Sequence, residues 1–257
     1  MKKMRIANPF RNLSGCPACT TFAIICVAVF IVTRIAWGIY PMGHGGGASP
    51  LAPYLVYSFG LHLPMLLHGA FWQPITYIFL HGSLLHLVAN VIMIVTFGPM
   101  VERLVGARRF TWLFLVSGII GGLGWMGCDI LEPRFWMWVQ TLPFDFARTM
   151  AQRWGESQSP GMTYGVCVGA SASVCGLIGA FAAICPHVRL TVLLFYVIPL
   201  KMSARALALL LAFGSLAASV AYTGHVAHAA HLVGLVAGYL WARRGGRIHD
   251  CFGAWDA

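Results

Sequence analysis

The basic residues of this chain gather in clusters that recur after every second long apolar run, and this spacing limits the fold more than any other feature. Lys2, Lys3, Arg5 and Arg11 precede the first run. Arg103, Arg108 and Arg109 share one short connection, and Arg189, Lys201 and Arg205 fall in another. Arg243, Arg244 and Arg247 follow the last run. Positive charge on alternate connections marks the cytoplasmic side of a polytopic membrane protein. The composition agrees: 59 % of residues are hydrophobic and 9 % charged, against about 25 % charged in a soluble domain. The expected class is an all-α polytopic membrane protein, a bundle of six transmembrane helices with both termini cytoplasmic. The formal charge of +10 defines a membrane face and not a nucleic-acid patch. The lipid bilayer is the expected partner, and nucleic acid is not.

Six spans can be drawn, at about residues 20–40, 81–103, 110–127, 171–186, 204–221 and 225–242. They divide the chain into a basic N-terminal segment (1–19), a membrane domain (20–244) and a short cytoplasmic tail (245–257). Arg34 falls near the outer end of the first span, where its stem can snorkel. The basic start and apolar run imitate a secretory signal, but "RIAWGIY" offers no small-residue cleavage site, so an uncleaved first span is expected. Residues 41–80 are apolar yet broken by Pro and Gly, and read as an interfacial, half-embedded segment. Residues 129–164 carry Trp136, Trp138 and Trp154, and read as an insertion on the outer side. Residues 190–199 ("LTVLLFYVIP") form a short apolar piece on the inner side.

The cysteines form no dense framework. Cys26, Cys175 and Cys185 lie within apolar runs and read as small packing residues. Cys16 and Cys19 make a lone CxxC, half a zinc site at most. Cys128 and Cys167 bracket the outer insertion and could be joined by a disulfide if that side is oxidising.

The fourth span is short. From Ser171 to Cys185 there are 15 residues, about 22 Å of helix, where the hydrocarbon core is about 30 Å thick. With the Pro186 end at the inner surface, Ser171 is submerged, and non-helical backbone precedes it at membrane depth. Such backbone is tolerated only inside protein or beside a water-filled cavity.

Polar residues inside apolar spans are functional candidates by default, and here they concentrate in three spans. The second offers His81, His86 and Asn90, the fourth Ser171 and Ser173, the sixth His225, His228 and His231. His86 and Asn90 are four apart and share a helix face. Their N–H groups could stabilise a developing oxyanion or simply bond neighbouring helices; His81 reads as loop packing. Serine with histidine is the minimum for nucleophilic acyl transfer. The spans offer no carboxylate beyond Glu102 at the inner end, so the site would be a dyad. Ser171, Cys175 and Gly179, and likewise Ala230, Gly234 and Gly238, recur at four-residue spacing and would let the fourth and sixth spans approach closely.

At these residues the chain resembles the rhomboid intramembrane proteases. "GASASVCGLIGAF" is similar to their serine motif and "HGSLLHLVAN" to their second-span motif. "GPMVERLVG" resembles the segment after it, "AHLVGLVAG" the histidine motif, and "FWQPITYIFLHGS" the end of their first loop. The resemblance covers about residues 72–244. It implies a rhomboid-like six-helix bundle that cleaves transmembrane segments of other proteins near the outer membrane face. It implies Ser171 as nucleophile, His231 as general base, and His86 and Asn90, with the Ser171 N–H, as oxyanion stabilisers. It implies no metal and no cofactor, and a bacterial inner membrane is the expected location. Two positions depart from the pattern: Ala172 stands where Gly is common, and Cys175 where a large aromatic is common.

Two rival readings use the same residues. One is a non-catalytic rhomboid-like protein that holds membrane clients. The other is a metal or haem protein using His228 and His231, which leaves the serine motif unexplained. Between the two serines, helical geometry separates the side chains by roughly 200°. Ser171 sits at the helix mouth, where free backbone N–H groups favour negative charge. Ser173 is expected to bond back to the Gly169 carbonyl.

Overall fold

The computed structural model describes residues 15–38, 51–141, 165–194, 198–221 and 227–244. It is mostly helical. In chain order the helices are α1 (Pro17–Gly38), α2 (Leu51–Phe59), α3 (Leu63–Leu67), α4 (Gln73–Thr76), α5 (Leu84–Val105), α6 (Ala107–Gln140), α7 (Ser171–Ile184), α8 (Ala204–Ala221) and α9 (His228–Arg244). Among the described residues, three stretches are long and apolar enough to cross a bilayer: Pro17–Ile35, Leu84–Val105 and Ala107–Leu131. Ser171–Ile184 and Ala204–Ala218 are shorter apolar helices.

Two elements differ from the sequence reading. The helix expected to stop near Gly127 continues to Gln140 as α6. Residues 128–140 contain no glycine, and Pro133 does not end the helix, so the supposed outer insertion begins as helix. Trp154 and the rest of residues 142–164 lie outside the described residues. The inner-side piece at 190–199 is part of an antiparallel hairpin, β1 (Arg189–Leu194) with β2 (Ile198–Ser203). Its register pairs Thr191 with Lys201 and Leu190 with Met202. Arg189, Thr191 and Lys201 are exposed, whereas Leu190, Val192 and Met202 pack against the core. This period-two alternation of β-branched and polar residues is strand patterning. A run this short and apolar carries little strand signal in the sequence alone.

The segment from α2 to α4 is zipped together by side chains of α4 and its N-cap residue. Helix α2 ends with carbonyls that have no partner within the helix. Trp72 Nε1 donates to Ser58 O (2.9 Å), Thr76 Oγ1 to Phe59 O (2.7 Å), and Gln73 Nε2 to Tyr57 O (3.1 Å). The Gln73 Oε1 atom accepts from His62 N–H (3.1 Å). Leu67, Phe71 and Trp72 are left exposed.

At the opposite end, Glu102 caps α1. Its carboxylate accepts from Ala18 N–H (3.1 Å) and Cys19 N–H (2.7 Å), two donors that the helix leaves unsatisfied. A carboxylate there also meets the positive end of the helix dipole. This explains a buried acid in an apolar span. Cys19 Sγ packs on Gly98 and points to Ile94 O (3.3 Å), so Cys19 is a packing residue. Burial and the nearby Glu102 carboxylate push the Cys16 thiol pKa up. Phe22 stacks on Phe114 with ring centroids 4.3 Å apart. Cys128 and Cys167 are both thiols with no disulfide between them: Cys128 is exposed and Cys167 buried. Cys185, read from the sequence as a packing residue, is instead disulfide-bonded.

The seam between α7 and α9, with α6 behind it, positions the candidate residues. A Cβ built at Gly234 would collide with Ala172 O, one at Gly238 with Gly176 O, and one at Gly179 with Leu235 O. The two helices therefore meet backbone to backbone, as small-xxx-small stripes allow. The α7 side of the seam is Ala172, Gly176 and Gly179, and not the expected Ser171, Cys175 and Gly179.

Candidate active site

Ser171 is the first residue of α7, entered through an αR N-cap at Ala170 that has no side-chain cap. The first N–H groups of the helix thus lack a side-chain acceptor at the serine. The backbone leading to it is non-helical and held by protein on two sides. Leu61 and Cys167 exchange both N–H···O bonds (2.9 Å each). Gly169 N–H donates to Tyr77 O (2.9 Å). Tyr77 is in turn buried, with its hydroxyl donating to Gly118 O at 2.5 Å. Gly169 has φ +120°, a conformation glycine adopts without the Cβ penalty.

Ser171 Oγ and His231 Nε2 are 2.8 Å apart. With the hydroxyl as donor, Nε2 carries the lone pair and the ring proton sits on Nδ1. His231 lies one turn into α9, with its N–H bonded to Ala227 O (3.2 Å). His228 opens the same helix, and His225 lies outside the described residues.

His86 comes to the same place from α5. Ser83 caps that helix by accepting the His86 N–H (3.1 Å). The His86 imidazole lies over Gly169, where an added Cβ would stand 2.6 Å from Nε2. Asn90 is buried, but its Nδ2 donates to the His86 carbonyl (3.0 Å), so here the amide serves its own helix. His81 is buried, faces Phe79 O at 3.2 Å through Nδ1, and stands edge-on to His86 at 5.1 Å. Arg34 Nη2 donates to Gly82 O (2.7 Å), tying α1 to the turn before α5.

Ser173 does not behave as expected. Its hydroxyl is buried and, among the described residues, makes no bond to Gly169 O or to any other group. It lies against Gly118 on α6, because α7 turns that face into the three-helix seam. Sequence reasoning also missed the α6 glycines: Gly118 accommodates Ser173, Gly121 the Ala172 methyl, and Gly122 the Tyr77 ring. The run "GIIGGLG" was the available signal. Among the described residues, no three His, Cys, Asp or Glu side chains gather as a metal site.

A Rhomboid domain matches residues 68–247, a stretch that contains Ser171, His231, His86 and Asn90. The chain belongs to the rhomboid family. Its apolar helices and this membership make it an integral membrane protein. Among rhomboid relatives, the putative rhomboid protease YdcA of Bacillus subtilis is 42% identical over 57 residues, 22% of this chain and 29% of that protein. Rhomboid-like protease 1 of Toxoplasma gondii is 32% identical over 74 residues, 29% of this chain and 25% of that protein. The rhomboid protease GluP of Bacillus subtilis is 34% identical over 59 residues, 23% of this chain and 12% of that protein. The chain thus spans less than a third of the length of these rhomboid relatives.

Proposed function

We propose that this rhomboid is an intramembrane serine endopeptidase that cleaves transmembrane segments of other proteins through a Ser171–His231 dyad. The observation that carries the reading is the 2.8 Å separation of Ser171 Oγ and His231 Nε2. That is hydrogen-bond reach between a nucleophile and its base. His231 takes the hydroxyl proton as Ser171 Oγ attacks the scissile carbonyl, forming a tetrahedral intermediate. The same imidazole then gives the proton to the leaving amine. Water, deprotonated by His231, then attacks the acyl carbonyl, the bond to Ser171 Oγ breaks, and the imidazolium returns its proton to Oγ.

The developing oxyanion is met by the N–H of Ser171 at the positive end of α7. His86, held over Gly169, supplies a side-chain donor. Asn90 joins it when its amide turns from the His86 carbonyl to substrate.

In this reading the chain crosses the bacterial inner membrane six times within residues 20–244, with residues 1–19 and 245–257 on the cytoplasmic side. The spans are α1, α5, α6, α7, α8 and α9. The shortness of α7 submerges Ser171 below the outer surface in a cavity that admits water.

The test is cleavage of a tagged transmembrane substrate panel in proteoliposomes. Wild type is expected to give product, and Ser171→Ala and His231→Ala none. Product from Ser171→Ala, or no product from wild type with any substrate, contradicts the reading. The second outcome would favour a client-binding, non-catalytic protein.

A further inference from the structure

We infer that His228 is a positioning residue for the His231 imidazole. The inference rests on the dyad reading above.

The His231 imidazole has one hydrogen bond among the described residues, to Ser171. Among the described residues no carboxylate fixes its other nitrogen. That single bond cannot hold the ring throughout a reaction cycle. Once Ser171 Oγ is acylated it has no proton to donate, yet His231 must still activate water. A ring free to turn about its χ angles would then lose its aim, and misplacement of a catalytic group by about 1 Å costs on the order of a hundredfold in rate.

A constraint that survives acylation must come from packing. The α7 side offers little: Cys175, one turn below Ser171, presents only a small thiol. The ring contact is supplied by His228. Its centroid is 6.1 Å from that of His231, with the planes at 84°, an edge-to-face arrangement within the favourable range for aromatic pairs. The geometry follows from the helix. Residues three apart share a face, and helical side chains lean toward the N-terminus. The His231 ring is therefore carried up against the turn that His228 opens. Contacts of Gly234 with Ala172 and of Gly121 with Ala230 O fix the α9 backbone, so the ring torsions are the freedom left to restrain.

The experiment compares wild type, His228→Ala and His228→Phe in proteoliposomes. It reads kcat and KM for a cleaved substrate, the rate of labelling by a fluorophosphonate probe, and thermal stability. His228→Ala is expected to lower kcat and the labelling rate by about three- to tenfold, with KM and the melting temperature unchanged. His228→Phe keeps the ring and removes its nitrogens, and is expected to return both rates to within twofold of wild type. Full activity of His228→Ala overturns the inference. So does failure of His228→Phe to rescue, or a rise in KM with kcat intact. A Ser171→Ala control separates the two levels. If labelling survives in it, the dyad reading fails. If labelling needs Ser171 but ignores residue 228, only the role of His228 fails.

Discussion

Gly234 lies against the carbonyl of Ala172, so close that no methyl group fits between α9 and α7. The same holds one turn on, where Gly238 meets Gly176 O. This seam sets the distance between the helix that carries Ser171 and the helix that carries His231. Gly238→Ala is expected to destabilise the protein by about 1–3 kcal/mol and to abolish serine-probe labelling. Gly214 on α8 has nothing within 4 Å of a built Cβ, so Gly214→Ala is the matched control and should cost nothing. Thermal unfolding in detergent checks both.

Ala172 is tolerated because Gly121 faces it. A Cβ added at Gly121 would stand 2.7 Å from the Ala172 methyl and 2.8 Å from Ala230 O. Ala172→Gly should therefore change turnover by less than about threefold. Gly121→Ala should reduce turnover by about tenfold or more, since it pushes on both helices of the seam. Steady-state cleavage of a transmembrane substrate measures the difference.

Gly169 combines a left-handed backbone with contact against His86. Gly169→Ala both strains the turn before Ser171 and displaces the imidazole. Turnover is expected to fall by more than about tenfold, with a stability loss of about 1–3 kcal/mol. Activity equal to wild type would show that His86 does not need its place over Gly169.

Glu102 acts on the fold and not on the chemistry. Glu102→Ala removes the acceptor for Ala18 and Cys19 and is expected to cost about 1–2 kcal/mol, as for other lost caps. Labelling per folded molecule should be unchanged. A melting curve paired with probe labelling distinguishes the two effects.

Much of this arrangement was legible in the sequence. The short α7 and the non-helical approach to Ser171 follow from bilayer thickness and helix geometry, and the structure has both, together with the α9 stripe of Ala230, Gly234 and Gly238. What escaped were contacts that depend on helix rotation. The α7 seam runs through Ala172 and Gly176 instead of Ser171 and Cys175, which leaves Ser171 beside the seam and facing His231. Ser173 lacks its expected bond to Gly169, and its hydroxyl packs against Gly118 of α6 instead. Tyr77 looked like one aromatic among many, and its hold on Gly169 and Gly118 needed the fold to appear. The α6 extension and the β1–β2 hairpin were hidden because helix ends and short apolar strands carry weak local signals.

The central claim is that Ser171, and not Ser173, is the nucleophile, with His231 as its base. Mapping a fluorophosphonate adduct by mass spectrometry on the detergent-solubilised protein tests it most directly. The account predicts one adduct, on Ser171, lost in Ser171→Ala and His231→Ala and retained in Ser173→Ala. An adduct on Ser173, or labelling that persists in Ser171→Ala, would contradict it.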